Sequence, residues 1–421
     1  MNNWKETTLD KVIELIIDHR GLTPKKLGGD WSDFGYRAIS AKTIKNGQLV
    51  NEDQMNILPE NLYKKWMKEE TQYGDIFLTS EAPLGEHMVW KSEEKLVLSQ
   101  RIFGIRTKKD ILDPFFFNYF IDSKYYQHQL KSRESGSTVT GIKQSELLKT
   151  KVILPPLPEQ KEIAGVLSSL DDKIELLRNE NETLEKIAQT IFKEWFVDFT
   201  INGEKLKLEN GIPEGWRVGK LGDVIEFING YAFKSEDLMD QGAENCYKVF
   251  KMGNIKKGGG FDFTKTRSFV KKDNFKNLKK FILKNGDILM SMTDMKDAVS
   301  LLGHTALMIY DGEYVVNQRV GLIRPVNDIG IDYPFLYLLT NNDIFISNLR
   351  GRANSGVQVN LSTDAIKNSK LLIAGKEINK KFNELMDPIF GKLKVNDLEI
   401  QTLSRFRDTL LPKLMNSEIR F

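Results

Sequence analysis

The sequence is poor in what most chemistry requires. Cys246 is the only cysteine among 421 residues, so no disulfide can form within the chain and a reducing compartment suits it. The four histidines, His19, His87, His128 and His304, are scattered. No His/Cys pair has zinc spacing, and they read as ordinary surface or core residues. No phosphate-cradling G-x-x-x-x-G-K-[ST] loop occurs. The nearest string, Lys256-Lys257-Gly258-Gly259-Gly260, lacks the spacing and the hydroxyl, and reads as a hairpin tip. No G-x-G-x-x-G follows a strand, and no Gly-x-Ser-x-Gly elbow is present. Leu154-Pro155-Pro156-Leu157 lacks the polar residue and the aromatic of an adenine-methylating Asn/Asp-Pro-Pro-aromatic loop. No apolar run approaches the ~18 residues that cross a bilayer. The opening MNNWKETTLDKVIEL has neither a basic nor an apolar signal region. These absences predict a soluble cytoplasmic protein with no cofactor, no metal and no membrane partner of its own. Lys and Arg number 61 against 58 Asp and Glu, a net charge of +3. That balance permits a nucleic-acid partner without demanding one.

What is present begins with a heptad seam. Ile163, Leu167, Leu170, Ile174, Leu177, Leu184, Ala188, Ile191 and Trp195 step by four and three, with Asn181 in the remaining slot. Pro158 suits a first helical position, and Glu159 and Glu162 suit the positive end of the helix dipole. From Ile163 to Trp195 such a helix is about 48 Å long. A second seam follows near the C-terminus: Phe382, Met386, Ile389, Leu393, Ile400, Leu403, Leu410 and Leu414, with Asn396 and Arg407 in the gaps. Pro388 is expected to kink or start that helix, leaving Phe382 and Met386 on a separate turn, and Pro412 to disturb its end. Pairing the helices antiparallel with Ile163 opposite Leu414 places Asn181 opposite Asn396. A parallel pairing sets Asn181 against Ile400 and strands both amides. Antiparallel pairing is therefore expected, with the asparagines fixing register.

The second helix belongs to a duplication. Trp4, Leu9, Val12, Ile13 and Glu14 recur at identical spacing as Trp216, Leu221, Val224, Ile225 and Glu226. Gly74-Asp75-Ile76 matches Gly286-Asp287-Ile288, each a tight turn feeding an apolar strand. Gln100-Arg101-Ile102 matches Gln318-Arg319-Val320, each running on to an Ile-Arg pair (Ile105-Arg106, Ile323-Arg324). Pro114 matches Pro334, and Ser135-Gly136 matches Ser355-Gly356. The period of ~210–220 residues is too long for a solenoid. The order is domain (1–154), long helix (155–200), turn-rich connector and domain (201–375), long helix and C-terminal segment (376–421). The fold class is α+β: two tandem-repeated α/β domains separated by two long helices that pair as an antiparallel coiled coil.

Each domain gathers basic and small polar residues in loops suited to phosphates and base edges. The first offers Arg20, Thr23, Lys25, Lys26, Lys42, Ser137, Thr138, Thr140 and Lys143. The second offers Tyr231, Lys234, Met252, Thr293, Lys296, Arg350, Arg352, Asn354, Gln358 and Asn360. Two equivalent loop sets on a fixed spacer suit the reading of two short sequences a set distance apart. Two other readings stay open. One is a metal-dependent nuclease using Asp75, Glu93 and Lys95, although only Asp75 has a repeat partner. The other is a coiled-coil scaffold that binds proteins alone.

Certain stretches carry a resemblance. Leu154-Pro155-Pro156-Leu157-Pro158-Glu159-Gln160 with the helix after it, Phe192-Lys193-Glu194-Trp195-Phe196-Val197-Asp198-Phe199, Pro213-Glu214-Gly215-Trp216 and Leu410-Leu411-Pro412-Lys413-Leu414-Met415 resemble the specificity subunit of type I restriction–modification systems. The resemblance implies two target-recognition domains, each reading half of a bipartite double-stranded DNA site in the major groove. It implies helices that set the gap and dock two methyltransferase subunits carrying S-adenosylmethionine. It also implies nuclease/translocase subunits, which use ATP and Mg, joining that core. No catalytic residue falls in this chain on that view. One departure stands out: the second junction reads Ile373-Ala374-Gly375-Lys376-Glu377 in place of the Pro-rich pattern.

Overall fold

The computed structural model describes residues 4–136, 140–274, 278–295, 299–326, 329–354 and 358–419. Ser137, Thr138 and Lys296 lie outside the described residues. The chain divides into two compact units, residues 1–176 with 399–421, and residues 177–398. Each unit therefore holds part of each long helix.

In the first unit, strand β1 (Lys5–Thr8) precedes β2 (Ile13–Asp18), β3 (Tyr36–Ile39), β4 (Ile57–Leu58), β5 (Ile76–Thr79), β6 (His87–Val89), β7 (Val97–Leu98), β8 (Ile102–Thr107) and β9 (Lys151–Leu154). A four-stranded antiparallel sheet runs β2-β8-β5-β6. Its central strands are apolar at almost every position because both faces are covered. Side chains alternate between two cores, as the period of two requires. Ile76, Leu78, Phe103 and Ile105 face helices α1 (Pro114–Ile121) and α2 (Lys124–Ser132). Phe77 and Ile102 join Trp66, Tyr63 and Leu98 on the other side. Helix α1 starts where it does because Asp113 accepts from the free N–H groups of Phe115 and Phe116 ahead of a first-turn proline. Strand β3 pairs antiparallel with β4 and parallel with β7, and β1 pairs with β9.

The 40-residue helix α3 (Leu157–Phe196) follows. The connector after it consists of two short hairpins, Thr200–Ile201 with Glu204–Lys205, and Leu208–Glu209 with Ile212–Pro213. Each turns on an Asn-Gly pair with both residues at positive φ (Asn202 52°, Gly203 82°; Asn210 51°, Gly211 81°), the geometry that matches strand twist.

The second unit repeats the first. Strands β10 (Arg217–Lys220), β11 (Ile225–Asn229), β12 (Cys246–Phe250), β13 (Phe269–Lys271), β14 (Ile288–Ser291), β15 (Thr293–Met295), β16 (Thr305–Leu307), β17 (Tyr314–Val316), β18 (Val320–Pro325), β19 (Gln358–Asn360) and β20 (Lys370–Ile373) include an antiparallel sheet β11-β18-β14-β16. Strand β12 pairs antiparallel with β13 and parallel with β17, and β10 pairs with β20. Helices α4 (Tyr333–Thr340) and α5 (Asp343–Arg350) take the places of α1 and α2.

The 40-residue helix α6 (Lys376–Met415) ends the fold and runs unbroken through Pro388 and Pro412. This corrects the expectation that Pro388 starts the helix and leaves Phe382 and Met386 on a separate turn. A mid-helix proline costs about 3 kcal/mol through a lost hydrogen bond and a carbonyl clash. Phe382 and Met386, both fully buried, offset that cost at about 1.5–3 kcal/mol each. Phe382 lies among the rings of Phe192, Trp195, Phe196 and Phe335. Beyond Pro412, Leu414 and Met415 are buried with Ile163 and Leu167 in the first unit's core.

The seam within the second unit includes Leu177, Leu184, Ala188, Ile191, Ile389 and Leu393, buried or half-buried. Asn396 is fully buried and donates to Asn181 Oδ1 and to Glu180, each at 2.9 Å. Asn181 donates in turn to Asp397 at 2.9 Å. The helices therefore run antiparallel in the register the two asparagines require. In the first unit's part of the seam Ile174 and Ile400 are buried, while Leu170, Leu403 and Leu410 are half-buried. Arg407 fills its gap by pairing with Asp171 at 2.7 Å.

The altered second junction keeps the first one's main contacts. Gln160 donates to the carbonyls of Ile111 and Pro155, and Asn379 donates to those of Ile329 and Ala374. Gln160 also accepts from Asp113 N–H, whereas Asn379 Oδ1 has no partner among the described residues.

Candidate nucleic-acid interface

Each unit brings its loops together at one end of its four-stranded sheet. In the first, strand β5 ends and β8 begins there, and Ser80 N–H donates to Arg101 O at 2.8 Å. The chain returns after residue 134 to that same edge: Ser135 and Glu81 both bridge Gly141, and Ile142 N–H donates to Ser80 O at 2.9 Å. Strands β3 and β7 run parallel and so finish together. Ser99 donates to Ile39 O, which sets exposed Lys42 and Gln100 on neighbouring loops.

The second unit repeats these bonds. Met292 N–H donates to Arg319 O at 3.0 Å and Leu361 N–H to Met292 O at 2.9 Å. Asn360 pairs with Thr293 and bridges Asn354. Asn317 N–H donates to Phe250 O, which brings the Lys251-Met252 loop beside Gln318-Arg319. The equivalence sets Ser135 against Asn354; Ser355 and Gly356 lie outside the described residues.

The candidates divide on this frame. Lys25, Lys26, Lys42, Thr140 and Lys143 in the first unit, and Lys234, Arg352, Asn354, Gln358 and Asn360 in the second, are exposed. Lys26 reaches Gly21 O, Arg352 reaches Asn368 O and Lys234 lies 3.6 Å from Glu236. Thr23 caps the short turn of Pro24–Leu27 by accepting from Lys26 N–H. Tyr231 is half-buried against Phe233 and Phe281, and Met252 packs on the core under β12 and β17.

Three candidates are engaged within the fold. Thr293 is 3% exposed inside the β15–β19 pair, so its hydroxyl is out of reach. Arg350 donates to the carbonyls of Leu302 and Ser300, which fastens a turn. Arg20 forks Asp18 at 2.8 Å, donates to Ile142 O and covers the Phe103 ring at 4.1 Å. These arginines hold the loops and do not present a free guanidinium.

Asp75, the buried acid of the nuclease reading, is structural too. Asp75, 1% exposed, takes a bidentate fork from Arg106 at 2.8 Å and caps the turn at Gln72 N–H. Asp287 takes the same fork from Arg324 at 2.7 and 2.8 Å and caps Lys284 N–H. The hydrogen bond to each aspartate, working against burial, raises the pKa of its arginine. Lys95 pairs with Glu70. Among the described residues no group of three or more His, Cys, Asp or Glu is placed to hold a metal ion, and no helix is long and apolar enough to cross a membrane. Gln100-Arg101 and Gln318-Arg319 occupy equivalent, exposed positions of this frame. Their signal was a polar pair repeated where a buried strand begins.

The fold is a tandem duplication of one α/β unit, each copy with an equivalent loop frame at its sheet end, and two long helices that each run through both units. The chain belongs to the family of the type I restriction modification DNA specificity domain, whose model matches residues 1–186 and 213–404. It is 27% identical to the type I restriction enzyme MjaIX specificity subunit of Methanocaldococcus jannaschii, over 95% of this chain and 86% of that one. It is 25% identical to the HindI specificity subunit of Haemophilus influenzae over the whole of both chains. The crystal structure of a type I restriction–modification S subunit from M. genitalium shares the fold, with a TM-score of 0.60 at 17% identity over 98% of this chain and 96% of that one.

Proposed function

We propose that the chain is a non-catalytic DNA-specificity subunit acting in a bacterial cytoplasm. Residues 1–154 and 201–375 each read one half of a bipartite double-stranded site. Segments 155–200 and 376–421 set the gap and dock two methyltransferase subunits and, through them, nuclease/translocase subunits. S-adenosylmethionine belongs to the former partners, and ATP with Mg to the latter.

The observation that carries this reading is the repetition of one loop frame at the sheet end of both units. Lys25, Lys26, Lys42, Lys143, Lys234 and Arg352 serve phosphates, which position without specifying. Thr140, Asn354, Gln358 and Asn360 serve base edges. The nuclease reading loses its support because Asp75 is committed to Arg106.

The test is a methylation map: co-expression with the cognate methyltransferase subunit in a host lacking adenine methylation, then genome-wide detection of modified bases. A split motif with a constant gap is expected. A continuous motif means one domain reads DNA. No methylation from a stable complex returns the chain to a protein-binding scaffold.

A further inference from the structure

Two arginines stand where glycine would be easier. Arg101 has φ +70° and Arg319 φ +71°, a left-handed backbone that glycine adopts freely and a side-chain-bearing residue adopts at a cost. They are equivalent positions of the two units, each accepting the amide that closes a strand end, Ser80 N–H and Met292 N–H. Both side chains are exposed.

A structural ion pair does not account for them. Arg101 meets Glu81 at 2.9 Å, with both side chains a third or more exposed, a setting in which pairs contribute little. The residue in Glu81's place is Thr293, a buried hydroxyl. Among the described residues the Arg319 guanidinium has no hydrogen-bonding or ionic partner. What the two halves share is therefore the strained backbone and the exposed fork, beside Gln100 in one unit and Gln318 in the other. Phosphate contact needs only a cation on a flexible stem. A guanidinium on a backbone pinned this way has a defined origin, which bidentate contact to guanine O6 and N7 requires.

We propose that Arg101 and Arg319 are specificity-determining residues, each reading a guanine edge in the half-site of its own unit. This rests on the DNA-specificity reading above. In the free chain Glu81 holds Arg101, and the base replaces it.

The substitution Arg319→Gly tests this cleanly, because it removes the side chain and relieves the backbone. Full-length wild-type and variant chains, each with the methyltransferase subunit, are mapped for methylation and melted. The expected result is an unchanged or raised Tm, with preference at one guanine of one half-site falling about ten- to hundredfold. The other half-site and the gap stay as they were. Arg101→Gly does the same to the opposite half-site, and Arg319→Lys, which keeps charge but loses the fork, relaxes the same position as Arg319→Gly. A wild-type split motif that Arg319→Gly leaves intact, at full or uniformly reduced modification, overturns the assignment alone. A wild-type chain that yields no split motif overturns the functional reading and this assignment with it.

Discussion

His87 places both ring nitrogens 2.9 Å from carbonyl oxygens, Nδ1 at Gly85 and Nε2 at Asn118, with the Asp122 carboxylate 3.7 Å from Nε2. A neutral imidazole donates only once, so only the charged ring satisfies both carbonyls. Burial pushes its pKa down, but Asp122 and the two carbonyls outweigh burial and the net shift is upward. A raised folded pKa means the stabilisation is complete below the unfolded value, about 6.5, and is lost as pH rises through the folded value. His19 and His304, both shifted down by burial, contribute with the opposite sign. The His87 contribution is therefore the difference between wild type and His87→Gln, and that advantage of the wild type is expected to shrink as pH rises across the window. A wild-type advantage that grows with pH sinks the argument. The sequence offered His87 as one of four undistinguished histidines, because its partners are main-chain atoms brought by tertiary structure. The same holds for Arg350, chosen as a free cation but committed to two carbonyls that no residue pattern announces, whereas Arg20 is forked by Asp18, two residues before it, and reaches one carbonyl.

Among the elements, the long helices were legible because a seam is a local pattern with a geometric consequence. The second asparagine gave direction as well as register. Its value is testable: Asn396→Leu removes the donor that Asn181 Oδ1 and Glu180 share in a buried seam. Unsatisfied buried polar groups cost about 1–3 kcal/mol, so a loss of that order is expected in urea denaturation. Asn181→Leu with Asn396→Leu is expected to cost less than the two single changes together, a coupling that a double-mutant cycle measures. Strict additivity of the two changes removes the pair as a register device. Pro388 of α6 was misjudged because propensity is local while the burial of Phe382 and Met386 is not. The junction at Asn379 departs from the first in sequence, yet two hydrogen bonds survive the change from Gln to Asn, a retention that sequence spacing does not express.

At the scale of the whole molecule, duplication was the most legible feature, since a series of matched residues in order is hard to produce by chance. It also makes the proposed reading separable: half-site identity belongs to the two loop frames, and the gap belongs to α3 and α6. Inserting one heptad into both helices, on matched sides of the Asn181–Asn396 pair, keeps each seam in phase because the pattern repeats every seven residues. It adds about 10.5 Å of helix. At about 3.4 Å per base step along DNA, the gap is expected to widen by up to about three base pairs. Both half-sites should be unchanged, because no residue of either sheet end is altered. The methylation map of the inserted chain reads gap and half-sites separately. A half-site that changes with the insertion shows that the helices take part in reading, and the division of labour between loop frame and spacer then fails.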